Sequence, residues 1–354
     1  MGDRRGVEFH HAVLSPGFGP IYNLVKNPPV TMKAAAIDRF GPPSVLKPRT
    51  RPVPQSERGE ILIAVATAGV GSWDAEIRDG SWAPSRPRFP LVLGTDGSGT
   101  VAAKGPGVRR FELGERVYAY QYENPKGGFY AEYVAVEADR AAAVPPRLDM
   151  VEAGALPTTG LTALQGIDDA LHVRRGETVL VFGATGAVGT LAVQFARARG
   201  ARVIATASSR AGAALLRKLG AAAVFDARTG ADRLAALAPD GLDAALVLAS
   251  GDTLEPCLKL VRSGGRVAYP NGVEPEPRRR PKVRLVAYDG EASQRAYARL
   301  ARAVEQAKLR IPIAVVFSLA QAARGHQRLE KGGVMGRIVL RVRRESGAAR
   351  SGAR

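Results

Sequence analysis

The run Val179-Leu180-Val181-Phe182-Gly183-Ala184-Thr185-Gly186-Ala187-Val188-Gly189 constrains this chain more than any other feature. Four apolar residues in succession, closed by a glycine, read as a buried strand, and the small positions Ala184, Gly186 and Gly189 then lead the backbone straight into a helix. Such a turn lets backbone approach a pyrophosphate closely, while the helix start adds free N–H groups and a positive dipole end. The motif alone is weak evidence, but it sits inside a long alternation. Strands are expected at 178–182, 202–205, 223–225, 242–248, 266–269 and 283–287, and helices at 188–199, 211–219 and 254–261. Apolar strands separated by helices imply a parallel sheet covered on both faces. The expected class is therefore α/β, a doubly wound sheet with a dinucleotide on the 183–189 turn.

The end of the second strand bears on which dinucleotide is held. An acid there accepts hydrogen bonds from a free ribose 2′-hydroxyl, whereas a 2′-phosphate needs donors and positive charge. Ser208, Ser209 and Arg210 follow that strand, and the first acid afterwards is Asp226. This pattern favours NADP(H) over NAD(H). Ser209 also suits a helix N-cap, so a purely structural reading of the serines stays open.

The rest of the chain has another texture. From Met32 to about residue 145, short strands with turn signals are expected at 60–66, 99–103, 116–120 and 132–136, which describes a β-rich domain with few helices. Residues 290–345 hold a helix with Ala292, Ala296, Leu300 and Val304 at helical spacing, then a strand at 337–342. The expected division is an irregular extension at 1–31, a β-rich domain at 32–154 completed by 290–345, a dinucleotide domain at 155–289 and a disordered tail at 346–354. No apolar run approaches the roughly 18 residues of a membrane span. Val13-Leu14 runs into Ser15-Pro16-Gly17 rather than into a secretory apolar core, so a soluble, cytoplasmic protein is expected.

Lys plus Arg number 51 against 33 Asp plus Glu, a net charge of +18 that raises the possibility of nucleic-acid binding. The excess is spread over helix surfaces such as Arg197, Arg217, Arg295 and Arg302, so neither a nucleic-acid nor a membrane partner is expected. One cysteine, Cys257, and four histidines exclude intrachain disulfides, and an ordinary His/Cys zinc site would need most of these few ligands to converge. No metal is expected.

Ordered matches run along the chain: Lys33-Ala34-Ala35 with Phe40-Gly41-Pro42, Ala68-Gly69-Val70, residues 94–101, Gly114-Glu115-Arg116-Val117, residues 156–163, the 183–189 turn, Gly264-Gly265-Arg266-Val267 and Gly336-Arg337-Ile338-Val339. From Met32 to about Val342 the chain resembles the medium-chain dehydrogenase/reductase superfamily, in its zinc-free quinone oxidoreductase branch. The resemblance implies a GroES-like catalytic domain closed by the C-terminal segment, a Rossmann domain in the middle, a small-molecule site in the cleft between them, and commonly a homodimer. The zinc-dependent branch places Cys near Gly71 and His at Thr95, and this chain has neither. Without a Lewis acid, alcohol oxidation is disfavoured, and hydride delivery from NADPH to an electron-poor quinone or enone is the expected reaction.

Carried over residue by residue, Thr162, the 183–189 turn, Ser209, Leu248, Ala249, Ser250, Asn271 and Arg337 resemble cofactor contacts. Each has a structural alternative: Thr162 as a residue bonded back into its own helix, Asn271 as a turn former, Arg337 as a solvated charge. Asp96 reads as structural, bonding local backbone among its glycines. Tyr120, Tyr122 and Tyr130 are candidates for proton donation or pocket shape, or for simple packing. Glu76 stands where relatives often have Tyr, Trp82 where they have another aromatic, Gly71 where they often have Asn, and the usual 2′-phosphate cation lies nearer Gly212. His326 is not expected to be catalytic. A nucleotide-binding sensor or structural protein without turnover is the competing reading, beside a zinc-free alcohol or aldehyde reductase.

Overall fold

The computed structural model describes residues 28–82 and 87–343; most of the 1–31 extension and the whole 346–354 tail lie outside the described residues. The β-rich half contains β1 (Thr31–Ile37), β2 (Lys47–Pro52), β3 (Glu60–Val70), β4 (Leu91–Val92), β5 (Asp96–Lys104), β6 (Arg116–Tyr120), β7 (Tyr133–Glu137) and β8 (Ala141–Ala143). Strands β2, β1 and β4 form one small sheet, while β3 is the spine of a larger one, pairing with both β5 and β7. Residue choice in β5 follows from that crossing. A Cβ on Gly99 would lie 2.2 Å from the Ala64 carbonyl oxygen, so the two backbones approach more closely than any side chain permits. Strand β2 carries no apolar signal because its residues, Lys-Pro-Arg-Thr-Arg-Pro, are those of a charged, proline-blunted edge.

The middle of the chain supplies β9 (Thr178–Phe182), β10 (Arg202–Thr206), β11 (Ala223–Phe225), β12 (Leu242–Val247), β13 (Val261–Pro270) and β14 (Arg284–Tyr288), all parallel, in the order β11-β10-β9-β12-β13-β14. The order reverses between β9 and β12, which opens a crevice at the carboxyl ends of those strands. All six residues of β12 are buried, as a central strand covered on both faces requires. The helix expected at 254–261 is shorter, Leu254–Leu258, because Val261 opens β13 opposite Leu242.

After helix Gln294–Gln306 the chain returns to the first half through β15 (Ile313–Ser318), helix Ala322–Glu330 and β16 (Arg337–Arg341), the last running antiparallel to β3. One hydrophobic cluster crosses the join, with Tyr118, Met150 and Val339 packed together with Leu156, Leu191 and Phe195. Full burial of each such Leu or Phe contributes about 1.5–3 kcal/mol. Among the described residues no helix is long and apolar enough to cross a membrane.

Two buried polar nodes fix the join. Asp96, at the start of β5, is fully buried; its Oδ1 accepts from Arg337 Nη2 at 2.8 Å and its Oδ2 from the Thr158 backbone N–H at 3.1 Å. Asp96 is structural, but through distant partners rather than the local backbone bonds expected. Arg337 is only 3% exposed, not solvated, and its guanidinium lies 4.8 Å from the centre of a Trp73 ring. The second node lies beneath helix Ala322–Glu330. Arg78 Nη1 donates to His326 Nδ1 at 3.1 Å, so neutral His326 carries its proton on Nε2 and donates to Tyr130 Oη, also 3.1 Å away. This corrects the expectation for Tyr130, which is a fully buried core residue and not a cleft residue.

Burial, and next the Arg78 charge, push the His326 pKa down to about 3 from 6.5, so the folded protein resists taking a proton that the unfolded chain accepts below pH 6.5. The advantage of the wild type over His326→Gln is expected to shrink by about 1.4 kcal/mol per pH unit as pH falls from 6.5 towards 3, measured by denaturant midpoints at several pH values. A constant difference would show that His326 titrates alike in both states. Arg337→Ala, which leaves the Asp96 carboxylate buried and unpaired, is expected to cost about 3–5 kcal/mol in thermal or denaturant unfolding.

Candidate functional site

The floor of the cleft is backbone. Gly183 turns at φ 79, a left-handed conformation that favours glycine, and its N–H donates to Thr206 Oγ1 at 2.9 Å. A Cβ there would also strike Ala249 at 2.9 Å, because Leu248 and Ala249, just past the end of β12, lean on the turn. Helix Ala187–Ala198 then starts from Gly186 with no side-chain cap, leaving its first N–H groups open. At Gly189 a Cβ would fall 2.6 Å from Ala184 Cα, so the helix sits directly on the turn. From the far end of the chain, Gly336 N–H donates to the Thr185 carbonyl at 2.9 Å and pairs with Gly186 in an isolated bridge.

Above this floor lies a cavity of about 360 Å³ between the two halves. The β-rich half presents Val70, Trp73, Glu76, Trp82 and Tyr120; the parallel-sheet half presents Thr162, Gly183, residues 186–189, Leu248, Asn271, Asp289 and Gly290, with Thr158 and Arg337 at the junction. Thr162 Oγ1 lies against Gly290, and the Thr162 carbonyl accepts from Tyr288 Oη at 2.9 Å. Asn271 donates its amide to Asp289 Oδ2 at 2.6 Å. Two buried polar atoms of this wall, Thr158 Oγ1 and Arg337 Nε, have no partner among the described residues. Orphaned groups beside a glycine floor and an open helix N-terminus fit a group that carries phosphates and a polar amide.

Other expected residues fall around this cavity. Ser209 caps helix Arg210–Leu219, its Oγ accepting from Gly212 N–H at 3.1 Å, a role that does not use the hydroxyl proton. Ser208, Arg210 and Ser250 are exposed and outside the cavity wall. Tyr122 is also off the wall; its ring stacks on Trp82 at 4.5 Å and its Oη donates to the Trp82 carbonyl at 3.1 Å. Tyr120 is on the wall, its pKa pushed far up by burial and then by the Asp96 and Asp289 charges. Residue patterns do not single out Asp289, Thr158, Trp73 or Arg228. Asp289-Gly290 carries a turn signal after a strand, but nothing local announces that the turn faces a cleft.

The two positions where zinc-dependent relatives bear ligands do not fit a metal. Thr95 Oγ1 accepts from Trp73 Nε1 at 2.6 Å, and a Cβ on Gly71 would fall 2.4 Å from the Trp73 ring. Trp73 thus occupies the space that a ligand on Gly71 would need. Among the described residues no group of three or more His, Cys, Asp or Glu converges. Beside them Asp74 is fully buried, accepting from Gly71 N–H at 2.8 Å and Thr95 N–H at 3.1 Å, and burial pushes its pKa up to about 7.

Comparison with known proteins agrees with this architecture. Residues 57–146 match the alcohol dehydrogenase GroES-like domain, and residues 187–277 match the family described as zinc-binding dehydrogenase. A quinone oxidoreductase of Rattus norvegicus is 31% identical over 326 residues, covering 87% of this chain and 97% of the relative. Among solved structures, a mycobacterial protein complexed with NADPH superposes with a TM-score of 0.78 at 30% identity, covering 88% of this chain and 100% of that one. An NAD-dependent alcohol dehydrogenase superposes with a TM-score of 0.81 at 32% identity and the same coverage. The shared fold binds a nicotinamide cofactor. This chain belongs to the medium-chain dehydrogenase/reductase superfamily, in its quinone oxidoreductase-like branch, and is an oxidoreductase of that family.

Proposed function

We propose that the protein is a zinc-independent reductase that uses NADPH to deliver hydride to a quinone or an α,β-unsaturated carbonyl compound. The observation that carries this reading is the cleft itself: a glycine floor suited to a dinucleotide, an aromatic wall suited to a flat conjugated ring, and a Trp73 ring where a metal ligand would stand. When bound, the reduced nicotinamide supplies the hydride. The chain's residues do the rest. The 183–189 turn and the helix N-terminus would hold the diphosphate, and Thr162, Asn271 and Leu248 would border the reacting ring. Trp73, Trp82 and Val70 hold the acceptor flat and exclude water, so that proximity and desolvation carry the rate. In its ionised form, Glu76 on the wall disfavours anionic acceptors.

Preference for the 2′-phosphate is supported by Ser208, Ser209 and Arg210, and by Arg228. The Arg228 guanidinium donates to Asp226 Oδ2 at 2.6 Å and to the Ser208 carbonyl at 3.1 Å, which neutralises the first acid after the second strand of the parallel sheet. A basic side chain at Gly212, as in relatives, has no room here, since a Cβ would stand 2.9 Å from Thr185 Cγ2.

NADPH is therefore expected to bind more tightly than NADH in fluorescence titrations. Arg210→Ala should weaken NADPH alone, by roughly 1.5–3 kcal/mol for one charge-assisted bond. Equal affinity of the native protein for both cofactors would overturn the assignment. With NADPH, a neutral quinone and a simple enone are expected to be reduced in the presence of a chelator, and elemental analysis should find no stoichiometric zinc. Oxidation of a saturated primary alcohol with NADP, with no turnover of either acceptor, would overturn the reaction.

A further inference from the structure

Reduction of a carbonyl acceptor by hydride leaves an oxygen that must gain a proton, and the tyrosines are poorly placed to give it. Tyr130 is sealed in the core with His326, and Tyr122 spends its hydroxyl proton on the Trp82 carbonyl. Tyr120 faces the cavity, but burial and two nearby carboxylates make it hold its proton more tightly than a free phenol does. Two carboxyl groups line the same cavity, Glu76 and Asp289. Asp289 accepts from the Asn271 amide at 2.6 Å. The Glu76 carboxyl has no hydrogen-bond or ion-pair partner among the described residues.

Its position suits transfer. The Glu76 backbone carbonyl accepts from Gly80 N–H and Trp82 N–H, both at 3.1 Å, which anchors the end of helix Ser72–Asp79 and the wall beside it. The side chain then reaches across the cleft: Oε2 lies 3.8 Å from where a Cβ on Gly272 would stand, in the loop after β13. The carboxyl thus reaches from the β-rich half towards the loop that carries Asn271 and Gly272, on the wall of the same cavity.

We propose that the Glu76 carboxyl is the proton donor of this cleft. The proposal rests on the reductase reading above. The hydride, hydrogen and electron pair together, bonds to one quinone oxygen or to the enone β-carbon, the displaced π electrons move to the remaining carbonyl oxygen, and there the O–H bond of Glu76 breaks as a new substrate O–H bond forms. A quinone becomes a hydroquinone and an enone becomes an enol that tautomerises in water. The Glu76 carboxylate is reprotonated from solvent, which its half-buried setting permits. Burial, and next the Asp79 charge on the same helix, raise its pKa above the ordinary glutamate value, which keeps more of the acid form available towards neutrality. Tyr122 lies close enough to feel its charge, and the other charged or titratable groups on the cavity wall are Tyr120, Asp289 and Arg337.

The test has two arms, with folding and NADPH affinity of Glu76→Gln checked first by melting and fluorescence. In the first, kcat/KM for a neutral quinone is followed against pH. The wild type is expected to lose about tenfold per pH unit above the Glu76 pKa, while Glu76→Gln runs flat and about 10²–10⁴-fold below the wild-type maximum. A wild-type rate and profile in Glu76→Gln would overturn the proposal and leave the reductase reading standing. The second arm needs no turnover and uses p-nitrophenol, whose ionised form is coloured, as a mimic of the reduced ring. With Glu76 ionised, the wild type is expected to bind the neutral phenol and bleach the phenolate band, whereas Glu76→Gln should lose that selection. Equal selection between phenol and phenolate in the two proteins would overturn the proposal even if every acceptor failed as a substrate.

Discussion

Asp96 brings a carboxylate into the core where three chain segments meet: the start of β5, the first turn of helix Pro157–Gln165 and the final strand β16. A carboxylate at a helix N-terminus is favoured by the helix dipole, and here it also neutralises a buried arginine. Exchanging both partners for well-packed apolar residues can be neutral for stability, so the ion pair itself need not stabilise the fold. What the pair does is positional. It leaves Arg337 Nε without a partner among the described residues, so a directed N–H donor is held at the cavity wall.

The cleft follows from two further constraints that act together. Strand order reverses between β9 and β12, which opens a crevice, and the turn at the end of β9 is stripped of side chains so that backbone can meet a ligand. Neither suffices alone, because the opposite wall belongs to the β-rich half. That wall is brought across by β16, paired to β3 along Val70, Gly69, Ala68 and Thr67, and by the bridge from Gly336 to Gly186. The apolar cluster through Tyr118, Leu156 and Val339 makes the join a continuation of the core, so the depth of the cleft depends on side-chain packing as much as on the hydrogen-bonded bridge.

Much of the fold is legible in the order of residues. The parallel strands announce themselves because residues buried on both faces must be apolar throughout, and the dinucleotide turn because only small residues fit between strand and helix. Legibility fails where burial leaves no period. Strand β2 is a charged edge, and β15 is a six-residue strand with no fully buried residue. At the site, Gly183, Gly186 and Gly189 are legible for steric reasons, whereas Asp289, Thr158 and Arg228 are not, since each acts through a neighbour distant in sequence or through the way its loop packs. Ser209 illustrates an ambiguity that residue type leaves open: the hydroxyl that suits a phosphate is also the hydroxyl that caps the helix.

Sequence alone settles the local chemistry of the backbone: where it turns without side chains, where it runs apolar, and that Gly71 and Thr95 bring no zinc ligands. Those properties are set by sterics and residue type within a few positions. Which side chains face the cleft is settled only when the chain packs. Tyr120 and Tyr130 are equally plausible as written, yet one lines the cavity and the other hydrogen-bonds to His326, 196 residues away. Asp96 and Arg337 meet across 241 residues. Facing depends on the register of β3 against β5 and β16, and a shift of one residue would turn each side chain of the shifted strand to the opposite face of the sheet.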